Sequence, residues 1–313
     1  MSENKNITAT YKSLDTEEWL DIHFTRPIGY QWALLFNHFG IHPNVVTILS
    51  IFIGIGAGVM FYHTDLLSNI IGVLLLMWAN FYDSADGQLA RMSGKKTQWG
   101  RILDGAAGDF WFISIYLAIS LRMMDDNIPF TSMRWGYWII LLAAFSGIYC
   151  HARQCQSSDY YRNIHLFFLK GTEGSELSSS DAEREKFKAT PWKGNFWWKM
   201  FLWSYINYTT TQERMSPVFQ RLKRRMAQAY PDGRLPQELC DEFRRGSLPL
   251  MKYANILTFN TRAIALYISC LANIPWAYLL FEIVVMTSIW AYMVHRHEAH
   301  CLRMIKWIDQ HEG

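Results

Sequence analysis

Charged residues are scarce in this chain of 313 residues, since Asp, Glu, Lys and Arg make up only 18% of it. Soluble domains average about 25%. The mean hydropathy is nevertheless close to zero, at −0.02. Apolar and polar residues must therefore be separated into blocks along the chain. Such separation is typical of membrane spans joined by polar loops.

Cysteine and net charge are also low, and both exclude classes of protein. The five cysteines show neither a disulfide framework nor a paired metal-binding spacing, so we expect reduced thiols. A net charge of +3 is too small to indicate a nucleic-acid partner. The first eighteen residues are polar and lack an apolar stretch, so we expect no cleavable signal peptide.

Long apolar runs predict an all-α integral membrane protein with six transmembrane helices. Runs such as Val45–Met60 are apolar on every face, which a soluble amphipathic helix would not be. The predicted spans lie near Val45–Tyr62, Leu67–Tyr82, Ile102–Met123, Trp135–Cys150, Ile256–Leu271 and Trp276–Val294.

The spans divide the chain into four segments. We expect residues 1–42 to form a cytoplasmic N terminus with an interfacial amphipathic helix, because Trp32, Leu35, Phe36 and Phe39 fall at helical spacing. The remaining segments are expected to be 43–152 with spans one to four, a large cytoplasmic or interfacial insertion at 153–252, and 253–313 with the last two spans and a tail.

Loop charge predicts the orientation in the membrane. The turn between the second and third spans carries Arg91, Lys95, Lys96 and Arg101, whereas the turn after the first span has neither Lys nor Arg. Basic loops stay on the cytoplasmic side. We therefore expect a multi-pass protein of a bacterial inner membrane or an endomembrane, with this turn and both termini in the cytoplasm.

Four aspartates lie within 27 residues beside the ends of two spans: Asp83, Asp86, Asp104 and Asp109. A carboxylate at membrane depth costs a few kcal/mol unless something compensates it. A divalent cation does so with oxygen ligands. Asp83 and Asp86 are three residues apart and share a helix face, and a short turn brings Asp104 back toward them. The sequence therefore predicts that these three converge on one metal site.

Small residues and one arginine accompany the aspartates. Gly87 and Ala90 leave room for a substrate against the helix, and Arg91 follows Gly87 by one turn. A guanidinium group suits a diphosphate by its charge and by its fork of donors. Aspartates, a divalent metal and an arginine together indicate phosphoryl-type transfer from a diphosphate.

The full spacing is Asp83-x2-Asp86-Gly87-x2-Ala90-Arg91-x8-Gly100-x3-Asp104, and it resembles the signature of the CDP-alcohol phosphotransferase (phosphatidyltransferase) family. Pro43-Asn44-x2-Thr47 resembles the segment that opens the first span in that family. The resemblance implies Mg²⁺ or Mn²⁺ on Asp83, Asp86 and Asp104. It also implies a homodimer, and a CDP site lined by Asn44, Thr47, Gly87, Ala90 and Arg91.

The last aspartate departs from the family pattern. In the family, three residues separate the third and fourth aspartates. That spacing places the fourth aspartate at position 108, which is Gly108 in this chain, and the aspartate lies one residue later at Asp109. The resemblance implies that this residue is the catalytic base and a further metal ligand. A step of five turns a helical side chain about 140° away from the site. Either a π-bulge near Gly105–Gly108 restores the face, or Asp109 is displaced and another group or water is the base.

The substrates are less constrained than the reaction. We expect CDP-diacylglycerol as donor and a polar acceptor, and Arg153, Arg162 and Arg262 favour a phosphorylated one. CDP-choline or CDP-ethanolamine with a lipid alcohol is the alternative, and an inactive scaffold or transporter that keeps the fold is another. The segment His295–His300 lacks the His-Glu-x-x-His spacing, and we interpret it as the polar end of the sixth span.

Overall fold

The computed structural model describes residues 13–95, 97–171, 175 and 177–311. Over these residues it contains helices, turns and loops and no strand, which confirms the all-α prediction. The chain divides into two compact units. The first comprises Met1–Ala152 with Phe259–Val285, and the second comprises Arg153–Thr258 with Met286–Gly313.

The described residues form thirteen α-helices and three π-helical segments. In chain order the helices are α1 Arg26–His38, α2 Pro43–Tyr62, α3 Leu66–Ser93, α4 Gln98–Met123, α5 Trp138–Ala144, α6 Ala152–Lys170, α7 Ser180–Ala189, α8 Phe196–Met215, α9 Pro217–Ala229, α10 Gln237–Ile256, α11 Phe259–Leu271, α12 Trp276–Leu280 and α13 Thr287–His311. The π-helical segments are Asp21–Thr25, Phe145–His151 and Phe281–Met286.

Four helical stretches among the described residues are long and apolar enough to cross a membrane. They are Pro43–Tyr62, Leu66–Ser93, Ile102–Met123 and Trp276–His311. These match the first, second, third and sixth predicted spans. Helix α11, at the fifth predicted span, has 13 residues, which is short for a crossing. The count of six spans therefore stays a prediction.

Glycines on α2 allow α4 to pack closely against it. A β-carbon at Gly54 would lie 2.0 Å from Trp111 Cδ1, and one at Gly58 would lie 2.2 Å from Ser114 Oγ. Trp111 Nε1 donates to the carbonyl of Ser50 at 2.9 Å. Small residues four apart are typical of close helix pairs in membranes. This contact holds α4, which carries Asp104, against α2, which carries Thr47.

A buried arginine ties together the ends of three helices in the first unit. Arg122 Nη1 donates to the carbonyl of Phe61 and to Asn69 Oδ1, both at 2.9 Å. Its Nη2 donates to Asn273 Oδ1 at 2.6 Å. Each of these bonds compensates a polar group that would otherwise be buried without a partner. Arg122, in the last turn of α4, therefore has a structural role.

Helix α1 packs against α3 in the first unit. A β-carbon at Gly29 would lie 2.7 Å from Ser84 Oγ, and Ala33 and Phe36 share a buried cluster with Leu89. One face of α1 therefore covers the helix that carries Asp83 and Asp86. The expected location of α1 in the membrane interface stays a prediction.

The second unit is built around aromatic and histidine side chains. Phe243 stacks on Phe168 with ring centroids 3.7 Å apart, and His165 Nδ1 lies 2.7 Å from Ser247 Oγ. Helix α7 in this unit begins at Ser180. The expected boundaries at 42, 152 and 252 stay predictions, and the final helix α13 falls in the second unit.

Candidate active site

Three aspartates of the first unit converge on one point. One carboxylate oxygen each of Asp83, Asp86 and Asp104 lies within 4.8 Å of the other two. Asp83 and Asp86 are one turn apart at the end of α3, and Asp104 is in the second turn of α4. Asp86 is buried, Asp83 is half-buried and Asp104 is exposed. The cluster therefore opens at Asp104.

A short turn between α3 and α4 produces this convergence. Gly94 follows the end of α3 with a φ of 68°, a left-handed conformation that glycine adopts without strain. Thr97 then caps α4, because its Oγ1 accepts a hydrogen bond from the amide of Gly100 at 2.9 Å. The chain therefore reverses within a few residues and brings Asp104 back to Asp83 and Asp86.

The first turns of α2 contribute two polar side chains. The hydroxyl of Thr47 donates a hydrogen bond to the carboxylate of Asp86. A β-carbon at Gly100 would lie 2.8 Å from Asn44 Oδ1. Gly100 is therefore the residue that allows Asn44 to approach the start of α4. The Pro43-Asn44-x2-Thr47 segment therefore contacts both helices that carry the aspartates, α3 through Thr47 and α4 through Asn44.

Arg91 offers an unused fork of hydrogen-bond donors. Its guanidinium lies above Gly87, where a β-carbon would be 3.4 Å from Nη1. Its Nε and Nη2 are buried, and neither has a hydrogen-bond partner among the described residues. It is close enough to Asp86 and Asp104 to interact electrostatically with both. Buried donors without partners are costly, and this pair of atoms binds phosphate bidentately, so the position suits an anionic ligand.

The carboxylates fit a divalent cation. Three carboxylates so close together repel one another, and a hard cation with oxygen ligands removes that repulsion. One buried, one half-buried and one exposed aspartate supply such oxygens from two helices. A bound Mg²⁺ or Mn²⁺ would be held by Asp83, Asp86 and Asp104, with Thr47 orienting Asp86.

Sequence comparison relates part of the chain to a known family. Residues 40–159 match the family described as CDP-alcohol phosphatidyltransferase. The match confirms the resemblance that the aspartate spacing indicated. The matched segment runs from the turn before α2 into α6, and it contains the three aspartates, Arg91 and Thr47.

Two curated relatives match part of the chain. An uncharacterised protein of Aquifex aeolicus is 28% identical over 130 residues, which are 38% of this chain and 58% of the relative. An archaetidylinositol phosphate synthase of Pyrococcus horikoshii is 35% identical over 101 residues, which are 32% of this chain and 52% of the relative. The chain thus spans a little over half the length of these relatives. No solved structure matches it.

The expectation of a π-bulge near Gly105–Gly108 is wrong. Helix α4 keeps an unbroken α-helical register from Gln98 to Met123, through Gly105–Gly108. The five-residue step from Asp104 therefore turns Asp109 to another face. The structure does not bring Asp109 into the metal cluster with Asp83, Asp86 and Asp104. Of the two interpretations of this residue, its displacement is the one that the helix register supports.

Asp109 lies instead at a cavity of about 440 Å³ between α4 and the α5 region. The walls are mostly apolar and include Phe112 and Ile148, with Tyr116 and His151 as polar groups. The hydroxyl of Tyr116 lies 3.1 Å from His151 Nδ1 and 3.3 Å from the hydroxyl of Tyr278. The aspartate motif gave no signal for this cavity, because part of its wall comes from residues 140–152, which lie outside the motif.

The three arginines expected to bind the acceptor have different surroundings. Arg262 is completely buried, and its Nη1 lies 2.6 Å from Glu282 Oε2 in an ion pair. This ion pair gives Arg262 a structural role, and its expected role in binding the acceptor stays a prediction. Arg153 and Arg162 lie on α6 in the second unit. Their acceptor-binding role also stays a prediction.

One charged pair near the cluster had no counterpart in the sequence motifs. Arg26, at the start of α1, pairs with Glu17 at 3.2 Å and interacts electrostatically with Asp83. The carbonyl of Arg26 accepts a hydrogen bond from Gln88 Nε2 at 3.0 Å. These contacts attach α1 to the motif helix α3. The sequence gave no signal for them, because 62 residues separate Arg26 from Gln88.

Proposed function

We propose that this protein is a phospholipid-synthesising transferase. It moves a phosphatidyl or other phosphoalcohol group from a CDP-linked donor to the hydroxyl of a polar acceptor and releases CMP. The observation that carries the proposal is the unused Nε and Nη2 fork of Arg91 beside the carboxylates of Asp83, Asp86 and Asp104. A fork of donors and a cluster of oxygen ligands are the two parts that a metal-bound diphosphate requires.

The reaction forms one bond and breaks another at the donor phosphorus. The acceptor oxygen forms the new bond to the phosphorus that carries the alcohol, and the bond from that phosphorus to the CMP oxygen breaks. CMP leaves with the bonding electrons. A divalent cation on the aspartates would neutralise charge on the diphosphate oxygens.

The residues of this chain bind and orient the donor. Arg91 binds the diphosphate. Gly87 and Ala90 have small side chains, so the nucleotide can lie close to the backbone of α3. Thr47 fixes the carboxylate of Asp86, and Asn44 holds the start of α4. Because Asp109 faces another cavity, we assign the acceptor proton to water at the exposed Asp104. Positioning and electrostatic stabilisation supply most of the catalysis in phosphoryl transfer.

CDP-diacylglycerol is the donor that we favour, and a phosphorylated alcohol is the favoured acceptor. The four apolar helical stretches support a lipid donor. The relative from Pyrococcus horikoshii carries the name of a synthase for a phosphorylated inositol lipid, which supports a phosphorylated acceptor. The cationic Arg153, Arg162 and Arg262 are the candidate ligands for that phosphate. We further propose a homodimer with its site toward the cytoplasm.

Release of CMP by the purified protein tests the proposal. The protein in detergent with Mg²⁺ receives either CDP-diacylglycerol with inositol phosphate, glycerol phosphate or serine, or CDP-choline with diacylglycerol. Asp104→Asn is the inactive variant. Asp181→Asn is the matched control, because that side chain is 87% exposed on α7.

Each outcome has a distinct meaning. CMP that appears with CDP-diacylglycerol and one acceptor, and disappears in Asp104→Asn alone, supports the proposal and names the substrates. Turnover with CDP-choline replaces the donor assignment but keeps the reaction class. Folded protein without turnover of any pair would favour an inactive scaffold or transporter that keeps the fold.

A further inference from the structure

A second group of metal-ligating side chains lies in the other unit, on α13. His297, Glu298 and Cys301 each place one ligand atom within 4.8 Å of the other two. The set offers one nitrogen, one oxygen and one sulfur. It differs from the aspartate cluster, which offers oxygen alone. A mixed set of this kind favours Zn²⁺ and similar cations over Mg²⁺.

The distances within the group suit a tetrahedral cation. His297 Nδ1 lies 3.7 Å from Cys301 Sγ and 3.8 Å from Glu298 Oε1. Tetrahedral zinc with ordinary bond lengths separates nitrogen from sulfur by about 3.6 Å and nitrogen from oxygen by about 3.3 Å. His297 and Cys301 are four residues apart, so both point from the same face of α13. A small rotation of the Glu298 carboxylate brings Oε1 to the nitrogen–oxygen distance from His297 Nδ1 that tetrahedral zinc requires.

A buried oxygen without a hydrogen-bond partner provides a second observation. The side chain of His297 is 1% exposed. Glu298 Oε1, the oxygen that lies 3.8 Å from His297 Nδ1, is buried without a hydrogen-bond partner among the described residues. The other oxygen of this carboxylate, Oε2, accepts from the amide of Val218 at 2.7 Å. Glu298 is thereby held with its free oxygen toward His297. A buried carboxylate oxygen without a partner is costly, and a bound cation removes that cost.

Aromatic side chains fix the imidazole of His297. Tyr161 stacks on the ring with centroids 3.8 Å apart and planes at 7°. Phe219 lies against the ring in an edge arrangement at 6.2 Å. The ring is therefore held in place by packing before any cation binds. A rigid ligand in a water-poor surrounding loses little entropy on binding, which favours affinity.

We infer that His297, Glu298 and Cys301 form a binding site for a zinc-class divalent cation, separate in chemistry from the catalytic metal. The fourth position belongs to water, since three protein ligands leave it open. Because Glu298 also holds the start of α9 through Val218, the bound cation stabilises the attachment of α13 to α9. The inference is independent of the transferase reaction.

Metal retention by the whole chain tests the site. The protein in detergent is stripped with a chelator and dialysed against Zn²⁺ in the presence of excess Mg²⁺, and its zinc content is then measured. A parallel sample receives Co²⁺, whose bond to thiolate gives a near-ultraviolet charge-transfer absorption. The site variants are Cys301→Ser and His297→Phe, the latter keeping a ring against Tyr161.

Two controls separate this site from others. Cys240→Ser removes a different thiol, which lies in the same unit on α10, and Asp104→Asn removes a ligand of the catalytic cluster. We expect wild type and both controls to retain one zinc and to show the cobalt–thiolate absorption. We expect Cys301→Ser to lose that absorption, and both site variants to bind zinc about tenfold more weakly or worse.

Thermal unfolding shows whether a variant loses zinc because a ligand is missing or because the protein does not fold. Without metal the site variants should unfold near the wild-type temperature, and added Zn²⁺ should raise the midpoint of wild type and the two controls but not that of the site variants. Wild-type protein that retains no zinc would overturn the inference. Equal retention and equal cobalt absorption in Cys301→Ser would overturn it as well.

Discussion

The hydroxyl of Thr47 donates a hydrogen bond to the carboxylate of Asp86, from the second turn of α2 to the last part of α3. This bond joins the segment that opens the domain to the aspartate cluster 39 residues later. A hydrogen bond to a metal-binding carboxylate fixes its orientation and raises metal affinity. Thr47 therefore acts on the metal through Asp86.

Replacing Thr47 should weaken metal binding without unfolding the protein. We expect Thr47→Val to raise the Mg²⁺ concentration for half-maximal CMP release by about 10- to 100-fold, because the shape is kept and the hydroxyl is lost. Thr47→Ser restores the hydroxyl and should recover most of the affinity. A Val variant with unchanged metal dependence would contradict the role of Thr47.

Replacing Arg91 should separate the contribution of its positive charge from that of its hydrogen-bond geometry. Arg91→Lys keeps the positive charge but loses the Nε and Nη2 fork. We expect the KM for the CDP-linked donor to rise about 10- to 100-fold, in line with lost hydrogen bonds to a charged group. Arg221→Lys, an exposed change on α9, is the control and should leave KM unchanged. Equal KM values for Arg91→Lys and wild type would exclude bidentate binding.

Replacing Asp109 tests directly whether this residue is the general base. A general base contributes roughly 10²- to 10⁴-fold, so Asp109→Asn should lose that much if Asp109 were the base. We expect the rate of CMP release to fall less than about tenfold, because the unbroken helix turns Asp109 away from the cluster.

Moving the aspartate to position 108 completes this test. A β-carbon at Gly108 meets no atom within 4 Å, so the double change Gly108→Asp with Asp109→Gly fits the structure. It places a carboxylate one full turn after Asp104, on the same face. We expect faster CMP release than in wild type, measured at saturating metal. A slower variant that is still folded would show that Asp109 already acts from its present position.

Close packing of α2 against α4 should depend on Gly54. A β-carbon there would lie 2.0 Å from Trp111, whereas one at Gly56 would lie 3.8 Å from Leu75. We expect Gly54→Ala to lower the free energy of unfolding by about 1–3 kcal/mol through overpacking. Gly56→Ala is the matched control and should be neutral or slightly stabilising. Denaturation in detergent measures both, and equal stabilities of the two variants would contradict the importance of the contact between Gly54 and Trp111.

The buried pair of Arg262 and Glu282 should behave as a unit. Arg262→Met alone leaves a buried carboxylate without its partner and should cost about 3–5 kcal/mol. The double variant with Glu282→Leu should recover most of that loss. Additive losses in a double-mutant cycle of unfolding would contradict the pairing. A stable double variant with a raised KM for a phosphorylated acceptor would instead reveal the acceptor role expected of Arg262.

Local spacing alone was enough to predict the aspartate cluster. Asp83 and Asp86 share a face because they are three residues apart, and Gly94 and Thr97 end one helix and start the next. These are short-range effects, which depend on helix geometry and capping alone. The same geometry correctly indicated that Asp109 misses the site in a regular helix, although the bulge expected to restore its face does not occur.

Only the tertiary structure decided which distant groups meet. The examples are Glu282 as partner of Arg262, Asn69 and Asn273 as acceptors for Arg122, and Tyr161 against His297. Each contact joins side chains at least 20 residues apart in the sequence. A periodic pattern shows which face of a helix is buried, but not which side chain lies opposite. The sequence by itself thus determined the chemistry of the aspartate motif, because its residues are neighbours on two adjoining helices. The role of each isolated arginine and histidine depended on packing, because a charged group or a ring acquires its function from the partner that it contacts.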